Sequence, residues 1–244
     1  MLKTNSSCFL NIKQIEMKKI IFLVLSTLFL FPHLTTAQYI SGFGVKAGAT
    51  LSNQKYDYSL NIDLDTKLKP GFNASLFAEF LDHRNFNLIL ESGYDQRGFI
   101  HSVTRTDEFG NIIGESDYKY RTDYIFASFG AKLKYKSRLL TPYLLLQPRL
   151  NFYLGYGAKY PDDTPEQIKN LGNPALEDFK KTMFDIGFGA GVEFNRLLPY
   201  KVFIEANYNP GLINSFGNSF VKVKEYSFNF KAGINFIKEK KSRK

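Results

Sequence analysis

Apolar and polar residues alternate along most of the chain after residue 38. In the most regular segment every second residue is apolar, in the order Phe184, Ile186, Phe188, Ala190, Val192 and Phe194. Such alternation is typical of a β-strand whose two faces meet different surroundings. Eight segments of roughly 9–13 residues show it, which is the length that a tilted strand needs to cross a bilayer. The pattern predicts an all-β fold: an eight-stranded antiparallel up-and-down transmembrane β-barrel over residues 38–237.

The connections between the predicted strands alternate in length. The long ones cover residues 53–70, 98–120, 156–182 and 211–224, and the short ones cover 82–85, 136–141 and 196–200. Outer-membrane barrels have this asymmetry, with short periplasmic turns and long outer loops. In the second long loop, the segment from Asp107 to Asn111 is a turn signal that would extend the strands as a hairpin above the membrane. In the third, Asn173-Pro174 would begin a helix.

The polar face of the strands carries six acidic and six basic side chains: Lys46, Glu79, Glu91, Asp95, Lys132, Lys134, Arg149, Asp185, Glu193, Lys201, Glu205 and Lys231. Nearly all of the strand glycines share this face. The interior of an eight-stranded barrel has room only for side chains, and small residues beside long charged ones fill that space. On a face that meets water, so many glycines would weaken the strands. We therefore predict that the polar face lines the lumen as a charge network and that the apolar face meets lipid.

Aromatic and proline residues have defined places in a membrane-spanning strand. The apolar faces of several strands begin and end with an aromatic residue, in the pairs Phe72 and Phe80, Phe86 and Tyr94, Phe184 and Phe194, and Tyr226 and Phe236. These residues are predicted to form two interfacial girdles. Pro148 lies in the middle of the fifth strand, and a closed barrel has no edge where its missing N–H is harmless. We expect a β-bulge or a locally irregular strand there.

The N-terminal segment predicts export. From Met17 a basic start is followed by an apolar run over residues 20–31 and by the small residues that precede Gln38. This is typical of a secretory signal peptide, with cleavage after Ala37, and the run is too short to span a membrane. Residues 1–16 precede the better start at Met17. The single cysteine, Cys8, lies in this segment, so no disulfide is expected after cleavage.

Charge changes the picture little. The whole chain has a net charge of +9, and without residues 1–37 the balance is 28 basic against 22 acidic residues. Much of the excess is the basic tail at residues 238–244. Such a cluster could contact nucleic acid or anionic lipid. Because a secreted chain rarely meets nucleic acid, we interpret the tail as a solvated end and expect no nucleic-acid partner.

Glycine-rich motifs recur in order along the chain: residues 44–53 (GVKAGATLSN), 70–77 (PGFNASLF), 90–98 (LESGYDQRG), 187–193 (GFGAGVE), 205–212 (EANYNPGL) and 230–236 (FKAGINF). These motifs resemble those of the PorT-like family of outer-membrane β-barrel proteins, over almost all of the mature chain. The resemblance implies an outer-membrane barrel that the barrel-assembly machinery inserts. The family's namesake takes part in protein secretion across the outer membrane, but most members have no assigned role, so the resemblance implies only location and fold.

Candidate residues for chemistry are few. After residue 37 the histidines are His83, in a short turn, and His101, in the second outer loop beside serine, threonine and aspartate residues. A lipid-modifying enzyme would need a nucleophile with a base, and we interpret this loop as a polar tip instead. Asp162, Asp163 and Glu166 could bind calcium weakly, but we interpret them as a solvated loop, and metal-ligand spacing is absent. We predict no catalytic residue, no metal and no cofactor.

The sequence thus predicts an integral, non-enzymatic protein of the outer membrane of a Gram-negative bacterium, surrounded by outer-membrane lipid. Eight strands leave too little space for a solute channel, so a porin function is not expected. Long loops on a rigid barrel suit binding. A binding, structural or secretion-accessory role is therefore favoured, with a protein or a surface polymer as the partner at the outer loops. The alternatives are an outer-leaflet lipid-modifying enzyme and a soluble lipocalin-like barrel that binds a ligand.

Overall fold

The structure is a computed structural model, and it describes residues 40–58, 66–81, 83, 85–135, 137, 139–161, 164, 180–194, 200–214, 216–217 and 221–236. Several predicted features lie outside the described residues: the signal peptide over 1–37, the helix start at 173–174, the carboxylates at 162, 163 and 166, and the tail at 238–244. Within the described residues, no helix is long and apolar enough to cross a membrane.

Nine β-strands make up the described part of the chain. They are β1 (Ile40–Tyr58), β2 (Thr66–Phe80), β3 (Phe86–Thr106), β4 (Ile112–Lys134), β5 (Leu140–Lys159), β6 (Thr182–Phe194), β7 (Lys201–Pro210), β8 (Phe216–Gly217) and β9 (Val221–Asn235). Strands β1 to β7 pair antiparallel with their sequence neighbours, β7 pairs with β9, and β9 pairs with β1, so eight strands close a ring. The short β8 pairs with β9 beyond the end of β7. The predicted eight-stranded up-and-down barrel is confirmed.

The ring has a polar interior and an apolar exterior. In β5, buried and exposed residues alternate from Leu140 to Asn151. The exposed positions include Leu144 and Leu146, and the buried ones include Gln147 and Arg149. A soluble barrel that binds an apolar ligand would have the opposite arrangement, because water would meet its polar face. The lipocalin-like alternative is therefore wrong.

Strands β3 and β4 extend as a hairpin beyond the predicted membrane-crossing segments. Their ladder runs from the pair Phe86 and Leu133 almost to the turn at residues 107–111. The predicted turn and the predicted extension of the strands as a hairpin are confirmed, whereas the assignment of residues 98–120 as a whole to a connection is wrong. Gly98 has a φ of +149°, a conformation that favours glycine, and the β3–β4 ladder continues on both sides of it.

Pro148 makes β5 locally irregular, which was one of the two expectations, and it does not produce a β-bulge. The register between β4 and β5 is the same before and after this residue, and only the two pairs between Ser128 and Ala131 are missing. The pairing of Pro148 with Ile186 of β6 belongs to an uninterrupted ladder. The missing N–H therefore causes a local interruption without an inserted residue, because the flanking pairs hold the strands in register. The register shift of β5 lies elsewhere, opposite Asp123.

Candidate functional site

Four charged side chains meet inside the ring near its short turns. The Nζ atom of Lys132 lies 2.7 Å from an oxygen of Glu79 and 2.5 Å from one of Glu193. The Nζ atom of Lys134 lies 2.9 Å from Glu79 and 3.1 Å from Glu193. All four side chains are buried. Two cations thus face two anions, and the group is neutral.

A second neutral group of four lies further from the short turns. Lys46 Nζ lies 2.8 Å from Glu91 Oε2 and 2.9 Å from Glu205 Oε1. Lys231 Nζ lies 3.0 Å from Glu91 Oε1, which also accepts a hydrogen bond of 2.7 Å from Ser75 Oγ. Because every ionised group has a partner of opposite charge, the cost of burying these charges is offset within the group.

The third group contains arginine and aspartate and lies towards the long-loop end. Arg97 pairs with Asp95 at 2.9 Å and with Asp185 at 2.8 Å. Arg149 pairs with Asp95 at 2.5 Å. The side chain of Asn151 accepts a hydrogen bond from Arg149 Nε and donates one to Asp185, both of 2.8 Å. This group is also neutral.

Aromatic rings fill the space beside these charges. The guanidinium carbon of Arg149 lies 3.7 Å from the ring centre of Phe126, and Lys132 Nζ lies 4.0 Å from that of Tyr143. Such contacts are favourable because the face of an aromatic ring is negative. The buried apolar cluster of the lumen is Phe77, Ile89, Tyr143, Leu145 and Phe203. An eight-stranded ring has room only for its own side chains, and these occupy it as a packed core with matched charges.

The structure places eleven of the twelve predicted lumen charges among the buried residues, whereas Lys201, at the start of β7, is half-buried. Among the residues that the structure describes, sequence analysis missed two further buried charges, Arg97 and Glu225. Glu225 accepts hydrogen bonds from Gln54 Nε2 at 2.6 Å and from Tyr124 Oη at 3.0 Å. Both missed residues lie at the limits of the predicted strands, and the alternation of faces, followed further, was the signal that could have found them.

All eight predicted interfacial aromatics lie on the outer face of the ring, because each alternates with buried neighbours. At the long-loop end, Phe72 packs on Tyr94 with ring centres 5.1 Å apart. At the short-turn end, Phe236 packs on Phe43 at 5.6 Å and on Tyr200 at 5.9 Å. The half-buried members are Phe80, Phe86, Tyr94, Phe184, Phe194 and Tyr226. Two rings of aromatics at two heights match the girdles of a membrane barrel.

Asp107 holds the turn of the β3–β4 hairpin. Its Oδ1 atom accepts hydrogen bonds from the backbone N–H groups of Phe109 (2.9 Å) and Asn111 (2.8 Å), and its Oδ2 atom accepts one from Asn111 Nδ2 (2.9 Å). The hydrogen bond from the Asn111 side chain, helped by the backbone donors, lowers the pKa of the Asp107 carboxyl. Gly110 supplies the left-handed conformation of the turn, with a φ of +83°.

The end of this hairpin carries an exposed apolar surface. Phe109 is 89% exposed, Ile112 is 75% exposed and Ile113 is 59% exposed. We name these three residues the hairpin tip. Large apolar side chains that are exposed next to one another often mark an interaction site, whereas single exposed apolar residues are normal on protein surfaces. The sequence held this signal, because three large apolar residues lie within five positions at the turn signal of the second long loop.

Replacing Asp107 with alanine is expected to loosen the turn and leave the barrel folded. The amides of Phe109 and Asn111 lose their acceptor, so their hydrogen exchange should accelerate while β5 to β7 stay protected.

The turn of the wild-type protein should loosen in acid in the same way. A carboxylate with a lowered pKa in the folded state contributes stability above its ordinary pKa, about 3.9, and loses it as the pH falls through the lower value. Hydrogen-exchange mass spectrometry, with Glu108→Ala as the control, measures both effects, and unchanged exchange at the turn would contradict the prediction.

The histidine-based catalytic candidate is not assembled. His101 and Ser102 are consecutive residues of β3, so their side chains point to opposite faces of the hairpin. Ser102 Oγ donates a hydrogen bond of 2.7 Å to Asp117, and the carboxylate of Asp107 is engaged in the turn. His83 is exposed in the short connection after β2. In the part of the chain that the structure describes, no group of three or more His, Cys, Asp or Glu residues could hold a metal ion.

Comparison with protein families decides what kind of barrel this is. The profile of the family described as "Outer membrane protein beta-barrel domain" matches residues 36–217, which is well over half of the chain. The chain belongs to this family. It is therefore an outer-membrane β-barrel of a Gram-negative bacterium, and its apolar exterior meets membrane lipid. In the orientation of such barrels the short turns face the periplasm and the long loops face outwards. None of the curated proteins matches the chain.

Solved structures similar to this outer-membrane β-barrel include three membrane barrels. The attachment invasion locus protein Ail of Yersinia pestis, in complex with the heparin analogue sucrose octasulfate, is 14% identical, with 80% of this chain and 98% of that chain covered and a TM-score of 0.36. Neisserial surface protein A is 18% identical, with coverage of 81% and 99% and a TM-score of 0.41. The outer membrane protease OmpT of Escherichia coli is 12% identical, with coverage of 82% and 97% and a TM-score of 0.44.

Proposed function

We propose that this outer-membrane β-barrel is a non-enzymatic binding protein that presents the β3–β4 hairpin to a protein partner outside the membrane. The observation that carries the proposal is the hairpin tip, where Phe109 in the turn and Ile112 and Ile113 just after it are exposed at the end of the β3–β4 ladder. Aromatic and aliphatic residues of this kind act as anchors in the pockets of a partner. A protein supplies such pockets more readily than a hydrated surface polymer does.

The interior of the barrel supports a scaffold role for the rest of the molecule. Three neutral groups of buried ion pairs tie non-neighbouring strands together across the lumen, as Lys46 does with Glu205. Residues held in this way give the hairpin a rigid base, which lowers the entropic cost of binding. Secretion across the outer membrane, in which the namesake of the PorT-like family takes part, is one setting for such binding, with an exported protein as the partner.

An outer-leaflet lipid-modifying enzyme is the weaker alternative. It would need a nucleophile within hydrogen-bonding reach of a base, and the strand geometry turns His101 and Ser102 away from each other. Asp107 is saturated by donors of its own turn. The polar residues of the described hairpin therefore stabilise its fold, and this favours a binding role of the hairpin over catalysis.

Cross-linking in intact cells tests the proposal. A photo-activated cross-linking amino acid at position 109 is expected to give a discrete protein adduct, whereas the same group at position 104, also exposed on β3, should not. Ile112→Ser should lower the yield of the adduct from position 109, because it removes part of the hairpin tip, without changing the amount of folded barrel seen on unboiled gels. Equal yields at positions 109 and 104, or no adduct from either, would overturn the proposal.

A further inference from the structure

Two pairs of lysines face each other across neighbouring strands, beyond the aromatic girdle at the long-loop end. Lys119 of β4 is the direct register partner of Lys159 of β5. On the other side of the barrel, Lys55 of β1 is the direct register partner of Lys224 of β9. All four side chains are exposed. They lie on the outer face of the ring, because they alternate with inward-facing residues such as Glu225.

This arrangement costs stability unless an anion offsets it. On one face of an antiparallel pair, directly opposite residues have Cβ atoms about 4.5–5.5 Å apart, and like charges there are destabilising. The β4–β5 pair and the β1–β9 pair lie diametrically opposite each other in the ring. Two such like-charge pairs thus occur at two places on the wall of the barrel.

Further cations lie on the same outer face beside Lys119. Arg121 Nε lies 3.2 Å from Asp123 Oδ2, and Asp123 Oδ1 accepts a hydrogen bond of 2.6 Å from the hydroxyl of the girdle residue Tyr94. Burial lowers the pKa of Lys69, and the neighbouring Arg121 lowers it further, while Asp123 opposes this. Crowding of cations has this effect. We name the whole set the outer basic belt: Lys55, Lys69, Lys119, Arg121, Lys159 and Lys224.

We propose that the outer basic belt binds the phosphate groups of an anionic glycolipid in the outer leaflet of the membrane, with a phosphate bridging each facing pair of lysines. A phosphate carries the negative charge that would offset the repulsion between two lysines, and its several oxygens can accept hydrogen bonds from both ammonium groups. The belt begins where the aromatic girdle ends, which is the level of lipid headgroups. Its side chains point sideways from the barrel wall, along the membrane, and this direction favours a neighbouring lipid over a soluble partner.

The double variant Lys119→Gln/Lys159→Gln tests the belt. The folded barrel in neutral detergent is titrated with lipid A that carries its two phosphates, and native mass spectrometry counts the bound lipid. Each lysine near an anionic lipid surface contributes about fivefold in affinity, so the site at the β4–β5 pair should bind about 25-fold more weakly. The site at the β1–β9 pair is left intact, so the number of bound lipid molecules should fall by one. Arg105→Gln, which removes an exposed base of the β3–β4 hairpin outside the belt, should bind like the wild type.

Stability in vesicles separates lipid binding from a structural role of the lysines. In vesicles of phosphatidylcholine alone, the double variant should be at least as stable as the wild type, since a repulsion is removed. Lipid A in the vesicles should then stabilise the wild type more than the variant. Equal binding of lipid A by both proteins, or equal binding of dephosphorylated lipid A by the wild type, would overturn the proposal. So would a variant that is less stable without lipid A, or displacement of lipid A by inorganic phosphate at similar concentrations, which would indicate a site for free phosphate.

Discussion

Replacing Glu91 with glutamine is expected to lower the free energy of unfolding of the barrel by about 3–5 kcal/mol. Glu91 pairs with Lys46 at 2.8 Å and with Lys231 at 3.0 Å inside the lumen. The neutral side chain would leave two buried ammonium groups with the single carboxylate of Glu205. A buried charge that loses its partner is costly because water cannot reach it. Equilibrium unfolding in urea of the barrel folded in phosphatidylcholine vesicles measures the loss.

The Glu91 experiment has a control and a compensating variant. Glu115→Gln breaks the exposed pair between Lys67 and Glu115, 3.3 Å apart, and should cost no more than about 1 kcal/mol. Adding Lys231→Met to Glu91→Gln leaves Lys46 with Glu205 and restores neutrality. The double variant should therefore lose less stability than the two single variants together. Additive losses would show that the four side chains do not act as one electrostatic group.

Replacing Gly48 with alanine is expected to cost at least about 2 kcal/mol or to prevent folding. Gly48 lies opposite Lys231 in the ladder between β1 and β9, which closes the ring. A Cβ atom at this position would collide with the carbonyl oxygen of Phe230 and would lie 2.8 Å from the Cα atom of Lys231. Backbone atoms cannot move aside as the end of a flexible side chain can, so the ladder would have to open. The fraction of protein that migrates as a compact band on unboiled gels measures the effect, together with the urea midpoint.

Gly155→Ala is the matched control for Gly48→Ala. A Cβ atom at position 155 would have no heavy atom within 4 Å. The same chemical change should therefore leave stability within about 0.5 kcal/mol of the wild type. If both substitutions had the same effect, the loss at Gly48 would come from the strand conformation of glycine and not from the closure of the ring.

The side of the ring on which each residue lies could be predicted from the sequence. Asp185 and Phe184 are assigned to the inside and the outside by the period of two alone, because successive side chains of a strand point to opposite faces. Lipid outside the ring favours apolar side chains and the packed lumen accommodates polar ones, so the alternation of apolar and polar residues is strong. The same argument predicts the aromatic girdles, since Phe72 and Tyr94 end their apolar faces at one level.

The ends of the strands could not be predicted as well. Outside the membrane both faces of a hairpin meet water, so the alternation of polarity fades although the ladder continues. Arg97 and Glu225 lie at the limits of the predicted strands and were missed because the alternation was not followed that far. The effect of Pro148 also depends on its neighbours, because the pairs on either side determine whether a missing N–H shifts the register.

The sequence by itself determined the class of the protein, the number of strands that close the ring, the inward and outward faces and the predicted lumen charges. These properties depend on the periodicity of neighbouring residues, which can be recognised in the sequence before the fold is known. Only the tertiary structure decided which charges are partners. Lys46 reaches Glu205 across 159 positions of sequence, and Lys119 faces Lys159 because β4 and β5 share one register. Partners across a closed ring depend on strand register and closure, and these are set by all of the strands together.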